Sequence, residues 1–345
     1  MSTITPALVP TVIKRLIAGE SIPPAELTAA FDLVMSGEAT PVQIAALLVG
    51  LRVKGETADE VAAVARALRN AMVTLESTDP DGLVDTCGTG GGAVATFNIS
   101  TAAALAAAGA GVRIAKHGNR SFTSQCGSAD VLEALDVPIE VPVAQMERSL
   151  AEAGIVFMFA PLMHPAMRHV GPVRRELGIP TVMNMVGPLA NPARAGRQVV
   201  GVSDQRRLEL MAGALRSLGA VHALVVYGEP GMDEVSPLGP TRVIEIRDGA
   251  MSEWTIDPSK YGFDDVNPGD LAGGPPAENA AIVERVLTGN GPHGATAAVV
   301  LNAAAAIYVS GPARDFGEAV DIARAAVTSG VGLVALERLR AASRR

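Results

Sequence analysis

A strand, a glycine-rich loop and a helix start follow one another between Leu83 and Ala108, in the stretch LVDTCGTGGGAVATFNISTAAALAAA. The apolar pair Leu83-Val84 is typical of the end of a buried strand, and the Ala/Leu run is typical of a buried helix. The glycines between them let backbone N–H groups approach an anion at the positive end of the helix. Ser100 or Thr101 is the candidate N-cap. The stretch therefore predicts an α/β unit with an anion site.

The loop matches neither of two common phosphate-binding motifs. No GK[ST] closes it as in a Walker loop, and the G-x-G-x-x-G spacing of dinucleotide-binding folds is absent. Clustered glycines alone fit a plain tight turn equally well. The polar residues after the glycines, Thr96, Asn98, Ser100 and Thr101, favour a bound phosphate.

The chain divides into a helical part and an α/β part. Residues 1 to about 75 carry helix signals, including capping boxes that begin at Thr40 and Thr57. A polar linker, Glu76–Gly82, precedes apolar runs that alternate with helical stretches, which predicts a mostly parallel central sheet flanked by helices. The predicted strands are Leu83–Thr86, Val112–Ala115, Ile155–Phe159, Val199–Val202 and Ala223–Tyr227. Asp248-Gly249 predicts a hairpin further on.

Composition excludes several classes of protein. A chain of 345 residues with 48% hydrophobic residues is long enough for one or two domains with a real core. A net charge of −8 argues against a nucleic-acid surface, and two cysteines do not make a disulfide framework. We find no signal peptide and no uncharged apolar run of membrane length, so we expect a cytoplasmic protein without a membrane partner.

Three further groups of residues suit phosphate, cation or carboxylate chemistry. The segment KHGNR, residues 116–120, follows a predicted strand and offers cationic donors for phosphate, although a solvated basic loop has the same pattern. Asp233 and Glu234 are adjacent carboxylates in a loop after another predicted strand, where they can hold a hard cation or form a solvated acidic turn. Arg174, in a helical stretch that contains Gly171-Pro172, can grip a carboxylate with its guanidinium. Asp264-Asp265 competes as a cation site but lacks supporting motifs.

The order and spacing of these motifs resemble one enzyme family. The motifs are GTGG with TFNIST, KHGNR, GSADVLEAL, HPAM, VRRELGIPT, NMVGPLANP and DEVSP. Together they resemble the anthranilate phosphoribosyltransferases of tryptophan biosynthesis. The resemblance implies transfer of the phosphoribosyl group from 5-phosphoribosyl 1-pyrophosphate (PRPP) to the amine of anthranilate, giving N-(5-phosphoribosyl)anthranilate and pyrophosphate. This is the second step of tryptophan biosynthesis from chorismate.

The resemblance also implies the organisation and partners of the chain. It implies a small helical domain over residues 1–75, completed by about 163–187, and an α/β PRPP-binding domain over residues 76–345. It further implies Mg²⁺ as cofactor and a homodimer formed through the helical domain.

The family's site residues transfer to matching positions of this sequence. The expected PRPP-binding residues are Gly88, Gly91, Gly92, Thr96, Asn98, Ile99, Ser100, Thr101, Lys116, His117, Gly118, Asn119, Arg120, Ser121, Phe122, Thr123, Ser124 and Ser128. The expected anthranilate-binding residues are Gly88, Asn119 and Arg174. The expected Mg²⁺ ligands are Ser100, Asp233 and Glu234. No residue is expected to act as acid or base, so Lys116 and Arg174 would position substrates and stabilise the transition state.

One departure and two alternatives accompany this resemblance. The family often has an acidic residue directly after GTGG, where this chain has Gly92, so PRPP and Mg²⁺ binding need not follow the family in detail. The first alternative is a nucleoside phosphorylase of the same fold, which would use a nucleoside and phosphate. The pair Asp233-Glu234 and the VRREL segment argue against this alternative. A non-catalytic nucleic-acid-binding relative is disfavoured by the negative charge and the intact motifs.

Overall fold

The computed structural model describes residues 8–121 and 125–344. The predicted site residues Phe122, Thr123 and Ser124 lie outside the described residues. So does Thr5-Pro6, a sequence signal that predicts the start of the first helix. The helices are α1 (Leu8–Ile17), α2 (Pro24–Ser36), α3 (Pro41–Lys54), α4 (Ala58–Asn70), α5 (Ile99–Gly109), α6 (Ser128–Ala134), α7 (Val143–Ala153), α8 (Ala160–Met163), α9 (Met167–Leu177), α10 (Met183–Val186), α11 (Leu208–Ser217), α12 (Pro276–Leu287), α13 (His293–Ser310), α14 (Phe316–Ser329) and α15 (Val331–Ala342). The strands are β1 (Val84–Gly88), β2 (Ile114–Gly118), β3 (Ile155–Phe159), β4 (Arg197–Gly201), β5 (His222–Gly228), β6 (Thr241–Arg247) and β7 (Ala250–Ile256).

A seven-stranded sheet forms the centre of the larger part, in the order β3-β2-β1-β4-β5-β6-β7. The strands from β3 to β5 pair in parallel, and β6 and β7 add an antiparallel hairpin at one edge. Asp248 and Gly249 join that hairpin with φ values of 51° and 79°, as the turn signal predicts. The predicted fold class, a small helical unit plus a mostly parallel α/β sheet, is confirmed.

Strands β1 and β2 extend beyond their predicted ends, to Gly88 and Gly118. Polar residues such as Lys116 have weak strand propensity, which is why the sequence pattern stops early. The ladder with neighbouring strands overrides that preference, since Lys116 pairs with Phe157 and Gly88 pairs with Gly201. The consequence is that several predicted site residues lie within strands.

The N-terminal helices pack against helices of the later chain. Thr40 and Thr57 cap α3 and α4 through complete capping boxes, as predicted. Helix α9 packs against α2 and α3, and α11 packs against α4. The proposed assignment of residues 163–187 to the helical domain stays a prediction.

Helix α13 is the apolar centre of the second layer and packs against α5 and α14. It has 18 residues, a mean hydropathy of 1.3 and no Asp, Glu, Lys or Arg, so the prediction that no run reaches membrane length is wrong. It is 78% buried inside the protein, which is the environment of a core helix. Its alanines let neighbouring helices approach closely.

Candidate active site

The carboxyl ends of the parallel strands meet at one edge of the sheet. β1 ends at Gly88, β2 at Gly118, β4 at Gly201 and β5 at Gly228. Ligands of open α/β sheets bind outside this edge. The expected PRPP residues lie at the ends of β1 and β2 or follow them, and the expected Mg²⁺ ligands Asp233 and Glu234 follow β5, so the fold brings both groups to the same edge.

The glycine loop packs directly on the loop that carries Asp233. Gly90 and Gly91 have φ values of 72° and 77°, in the left-handed region that favours glycine. The N–H of Gly90 donates to Asp233 Oδ2 at 2.7 Å. A Cβ on Gly88 would lie 2.3 Å from the same oxygen. Glycine is therefore required for this close approach, and Asp233 orders the glycine loop from across the cleft.

Gly92 lies against the same loop. A Cβ there would lie 3.2 Å from the carbonyl oxygen of Gly231 and 3.4 Å from Asp233 Oδ1. An acidic side chain at this position would add a negative charge beside Asp233 and would require small shifts. Among the described residues, Asp233 is the one whose carboxylate accepts a hydrogen bond from the glycine loop, residues 88–92.

Asp233 and Glu234 present two adjacent carboxylates with little compensation by protein cations. Burial raises the pKa of Asp233, against the opposing hydrogen bond from Gly90. Burial and the neighbouring Asp233 raise the pKa of Glu234 to about 8, whereas Lys116 opposes the shift. Two carboxylates that resist joint ionisation are a suitable site for a hard divalent cation. Within residues 8–121 and 125–344, no group of three or more His, Cys, Asp or Glu side chains forms a metal site, so other ligands must be hydroxyl, water or substrate oxygens.

A small cleft lies between the sheet edge and helices α5 and α13. Ser100, in the first turn of α5, lines it together with Asp233, Glu234 and Asn302. The three expected Mg²⁺ ligands therefore line one space. The N-cap prediction is wrong, because α5 begins at Ile99 with Asn98 as the preceding residue, which leaves Ser100 inside the helix.

Lys116 is buried rather than displayed as a surface donor. Its side chain is 3% exposed, and its Nζ donates to the carbonyl oxygen of Thr86 at 2.6 Å and to Ser100 Oγ at 3.3 Å. Burial lowers the pKa of Lys116, and the negative charge of Asp85 opposes that effect. Its ammonium thus lies beneath the start of α5, beside the hydroxyl of an expected Mg²⁺ ligand.

The segment after β2 is held by residues of α6. Ser128 Oγ donates to the carbonyl oxygen of Asn119 at 3.2 Å, and a Cβ on Gly118 would lie 2.2 Å from Ser128 Oγ. The expected PRPP residues Asn119 and Ser128 are therefore adjacent. The N–H of Ser121 donates to Asp130 Oδ2 at 3.1 Å.

Arg120 differs from its expected role as a free phosphate donor. Its guanidinium forms ion pairs with Glu133 and Asp130 and lies 5.5 Å from the ring centre of Phe159. The carboxylates of α6 neutralise its charge, so in this structure Arg120 ties the segment to α6.

The TFNIST residues divide between the ligand side and the interior. Ile99 and Thr101 are buried, and the Thr101 hydroxyl has no hydrogen-bond partner in the structure. Asn98 Oδ1 accepts from Asn279 Nδ2 at 2.9 Å, and Asn98 Nδ2 donates to the carbonyl oxygen of Cys126. The Asn98 side chain therefore fixes the loop. Thr96 is partly exposed, with its carbonyl packed against Gly273.

Arg174 lies in α9, which packs against α2 and α3, and is partly buried. Burial lowers the pKa of its guanidinium, and no carboxylate pairs with it in the described part of the chain. An uncompensated guanidinium of this kind suits an anionic ligand.

The rings of His117 and His164 lie 4.9 Å apart. Burial lowers the pKa of His117 to about 3 and that of His164 to about 4, so both side chains are neutral at pH 7.

Three buried polar residues behind the site were missed by the sequence analysis. Asp85 accepts from the N–H of His117 at 3.2 Å and from Asn191 Nδ2 at 2.7 Å, which links β1 to the GPLANP segment. Asn302 bonds to the backbone of Val235, directly after Glu234. A single amide inside the apolar run of α13 is a signal that would have found Asn302, because buried amides need partners.

Comparison with known families and proteins places these features in context. The family model described as the glycosyl transferase family, a/b domain, matches residues 80–333, and the model described as the helical bundle domain of that family matches residues 10–72. The chain is 49% identical over 333 residues to the anthranilate phosphoribosyltransferase of Rubrobacter xylanophilus, covering 96% of this chain and 97% of that protein.

Solved structures show the same fold. The crystal structure of anthranilate phosphoribosyltransferase from Thermus thermophilus superimposes with a TM-score of 0.91 at 43% identity, covering 97% of this chain and 99% of the other. The enzyme from Saccharomyces cerevisiae in complex with PRPP and Mg superimposes with a TM-score of 0.88 at 27% identity, covering 99% of each chain.

Proposed function

The chain belongs to the anthranilate phosphoribosyltransferase family, and from that premise we propose how its own residues carry out the reaction. The enzyme is a pentosyltransferase that moves the phosphoribosyl group of PRPP to the amine of anthranilate. The bond from the ribose C1 to the pyrophosphate oxygen breaks, and a bond from C1 to the amine nitrogen forms. The observation that carries this assignment is the identity of 49% over 96% of the chain, joined to a cleft at the sheet edge that Ser100, Asp233 and Glu234 line.

Asp233 and Glu234 are the proposed Mg²⁺ ligands, with Ser100 as a third. The fit rests on two adjacent carboxylates with raised pKa values beside a hydroxyl in the same cleft. When bound, Mg²⁺ would neutralise charge on the pyrophosphate as it leaves. The yeast relative that contains PRPP and Mg supports this choice of cation.

The glycine loop and the start of α5 are the proposed pyrophosphate site. The dipole of α5 adds positive potential at its start, although the N–H groups of Ile99 and Thr101 already donate to the carbonyl oxygens of Phe97 and Asn98. Lys116 contributes a positive charge directly below Ser100. We assign Lys116 a positioning and electrostatic role, because its buried ammonium already donates to Thr86.

Arg174 is the proposed partner of the anthranilate carboxylate, with Asn119 and Gly88 beside the same substrate. The support is an α9 guanidinium without a carboxylate partner among the described residues. A guanidinium binds a carboxylate with two parallel hydrogen bonds and so fixes the ring orientation. With the amine already a free nucleophile, positioning and charge stabilisation can supply the catalysis without an acid–base pair.

The two alternative interpretations of the sequence lose support from the comparisons. Relatives with full coverage are anthranilate phosphoribosyltransferases rather than nucleoside phosphorylases. A nucleic-acid-binding role would need a basic surface, whereas the net charge is −8.

We further propose that two copies of the chain associate through α3. The residues Val42, Ala46, Val49 and Val53 are spaced by three or four and form one stripe of this helix. Val42 and Val53 are 79% and 82% exposed, and Ile17 of the adjacent α1 is 78% exposed. A second copy would cover this apolar stripe. Wild-type protein should sediment as a dimer and Val53→Asp as a monomer, whereas monomeric wild-type protein would refute the proposal.

A cytoplasmic location stays a prediction.

The activity is tested by the loss of anthranilate fluorescence. We expect loss only when PRPP and Mg²⁺ are both added, and we expect EDTA to abolish it. Folded protein that leaves anthranilate fluorescence unchanged would contradict the assignment, and phosphorolysis of nucleosides would then be the next assay.

A further inference from the structure

Asn302 places an amide group in the apolar interior, where the loss of contact with water costs free energy. It belongs to α13, in the run AAVVLNAAAAI, and its side chain is 4% exposed among buried apolar neighbours. An amide removed from water without partners destabilises a fold, so its hydrogen bonds must be accounted for.

The amide pairs with both backbone groups of one residue. Asn302 Oδ1 accepts from the N–H of Val235 at 2.9 Å, and Asn302 Nδ2 donates to the carbonyl oxygen of Val235 at 2.8 Å. The second N–H of Nδ2 donates to the carbonyl oxygen of Ala298 at 2.9 Å, within the same helix. The side chain thus bonds to Val235 as a neighbouring strand would and uses its full donor capacity.

Val235 directly follows Asp233 and Glu234, and the other side of this segment is held by close packing. A Cβ on Gly201 would lie 1.7 Å from the carbonyl oxygen of Asp233, and one on Gly228 would lie 2.5 Å from that of Glu234. The segment is therefore fixed between the ends of β4 and β5 and the amide of Asn302. Asn302 also lines the cleft together with both carboxylates.

We propose that Asn302 is a positioning residue for divalent-cation binding: by clamping Val235 it sets the direction in which Asp233 and Glu234 present their oxygens. The inference rests on the proposed function, in which these carboxylates hold Mg²⁺. A merely structural amide would affect the stability of the fold but not the affinity for the cation.

The test measures Mn²⁺ binding by electron paramagnetic resonance, in the presence of PRPP and without turnover. Asn302→Leu keeps most of the side-chain volume and removes all three hydrogen bonds. We expect its Mn²⁺ dissociation constant to rise roughly tenfold, the effect of one to two hydrogen bonds lost from the loop, with the KM for anthranilate unchanged. Asn302→Ala provides the same measurement without steric crowding should the leucine variant not fold.

Tyr308→Phe is the matched control, because it removes a hydrogen bond from the C-terminal end of α13, where Tyr308 OH donates to Glu245 Oε1 at 3.1 Å. It should lose stability without a change in Mn²⁺ affinity. Wild-type affinity in a folded Asn302 variant would overturn the role of Asn302 alone. Wild-type protein that binds no Mn²⁺ would instead remove the proposed metal site, and the role of Asn302 with it.

Discussion

Gly201→Ala should disable the enzyme through a backbone collision rather than through lost chemistry. Gly201 is the last residue of β4 and pairs with Gly88 on one side and Val226 on the other. The added Cβ would lie 1.7 Å from the carbonyl oxygen of Asp233 and 2.3 Å from its carbonyl carbon. Both atoms belong to the backbone, so no side-chain rotation relieves the contact.

The size of the effect follows from the distance. An ordinary contact begins at 3.4 Å, against 1.7 Å here, so Asp233 must move away from β4 by about 1.7 Å. A misplacement of about 1 Å in a catalytic group costs roughly 100-fold in rate. We therefore expect kcat/KM to fall by about 100-fold or more. Overpacking should also lower the free energy of unfolding by about 1–3 kcal/mol.

The assay is the anthranilate fluorescence assay, combined with urea unfolding and Mn²⁺ binding. Gly171→Ala in α9 is the matched control, because its Cβ would meet only Arg175 Nη1 at 3.7 Å and alanine favours the helix. The control should keep full activity. Wild-type kcat/KM in folded Gly201→Ala protein would refute the argument that this glycine sets the position of Asp233.

Three further perturbations test other parts of the site. Arg174→Ala should raise the KM for anthranilate by roughly 100-fold and leave that for PRPP nearly unchanged, since a charge-assisted pair is lost; equal rises in both would contradict its role. Asp233→Asn combined with Glu234→Gln should shift the Mg²⁺ titration to higher concentration, and an unchanged titration would remove both from the metal site. Burial lowers the pKa of His164 to about 4, so below pH 6.5 the unfolded chain binds a proton that the folded one does not. As the pH is lowered from 6.5 to 4, His164 should therefore decrease the free energy of unfolding by up to about 1.4 kcal/mol for each pH unit. Urea unfolding of His164→Leu should show a shallower dependence, and an identical slope would show that His164 titrates alike in both states.

Much of the architecture could be predicted from local sequence patterns. The capping boxes at Thr40 and Thr57 and the Asp248-Gly249 hairpin all occur as predicted. Each depends on interactions among residues a few positions apart, and such interactions are visible in a sequence. The strand ends were less accurate, because polar residues such as Lys116 enter the sheet only when neighbouring strands supply the ladder.

The sequence motifs by themselves determined the family, the reaction and the glycine loop at the end of β1. Tertiary structure decided which way the polar side chains of those motifs point. Lys116 turns inward to Thr86, and Arg120 pairs with α6, although both stand in one basic motif. Asn302, far along the chain, bonds to the segment that follows Asp233. The physical reason is that burial and hydrogen-bond partners come from segments distant in sequence, so a side chain's direction depends on packing that no local pattern contains.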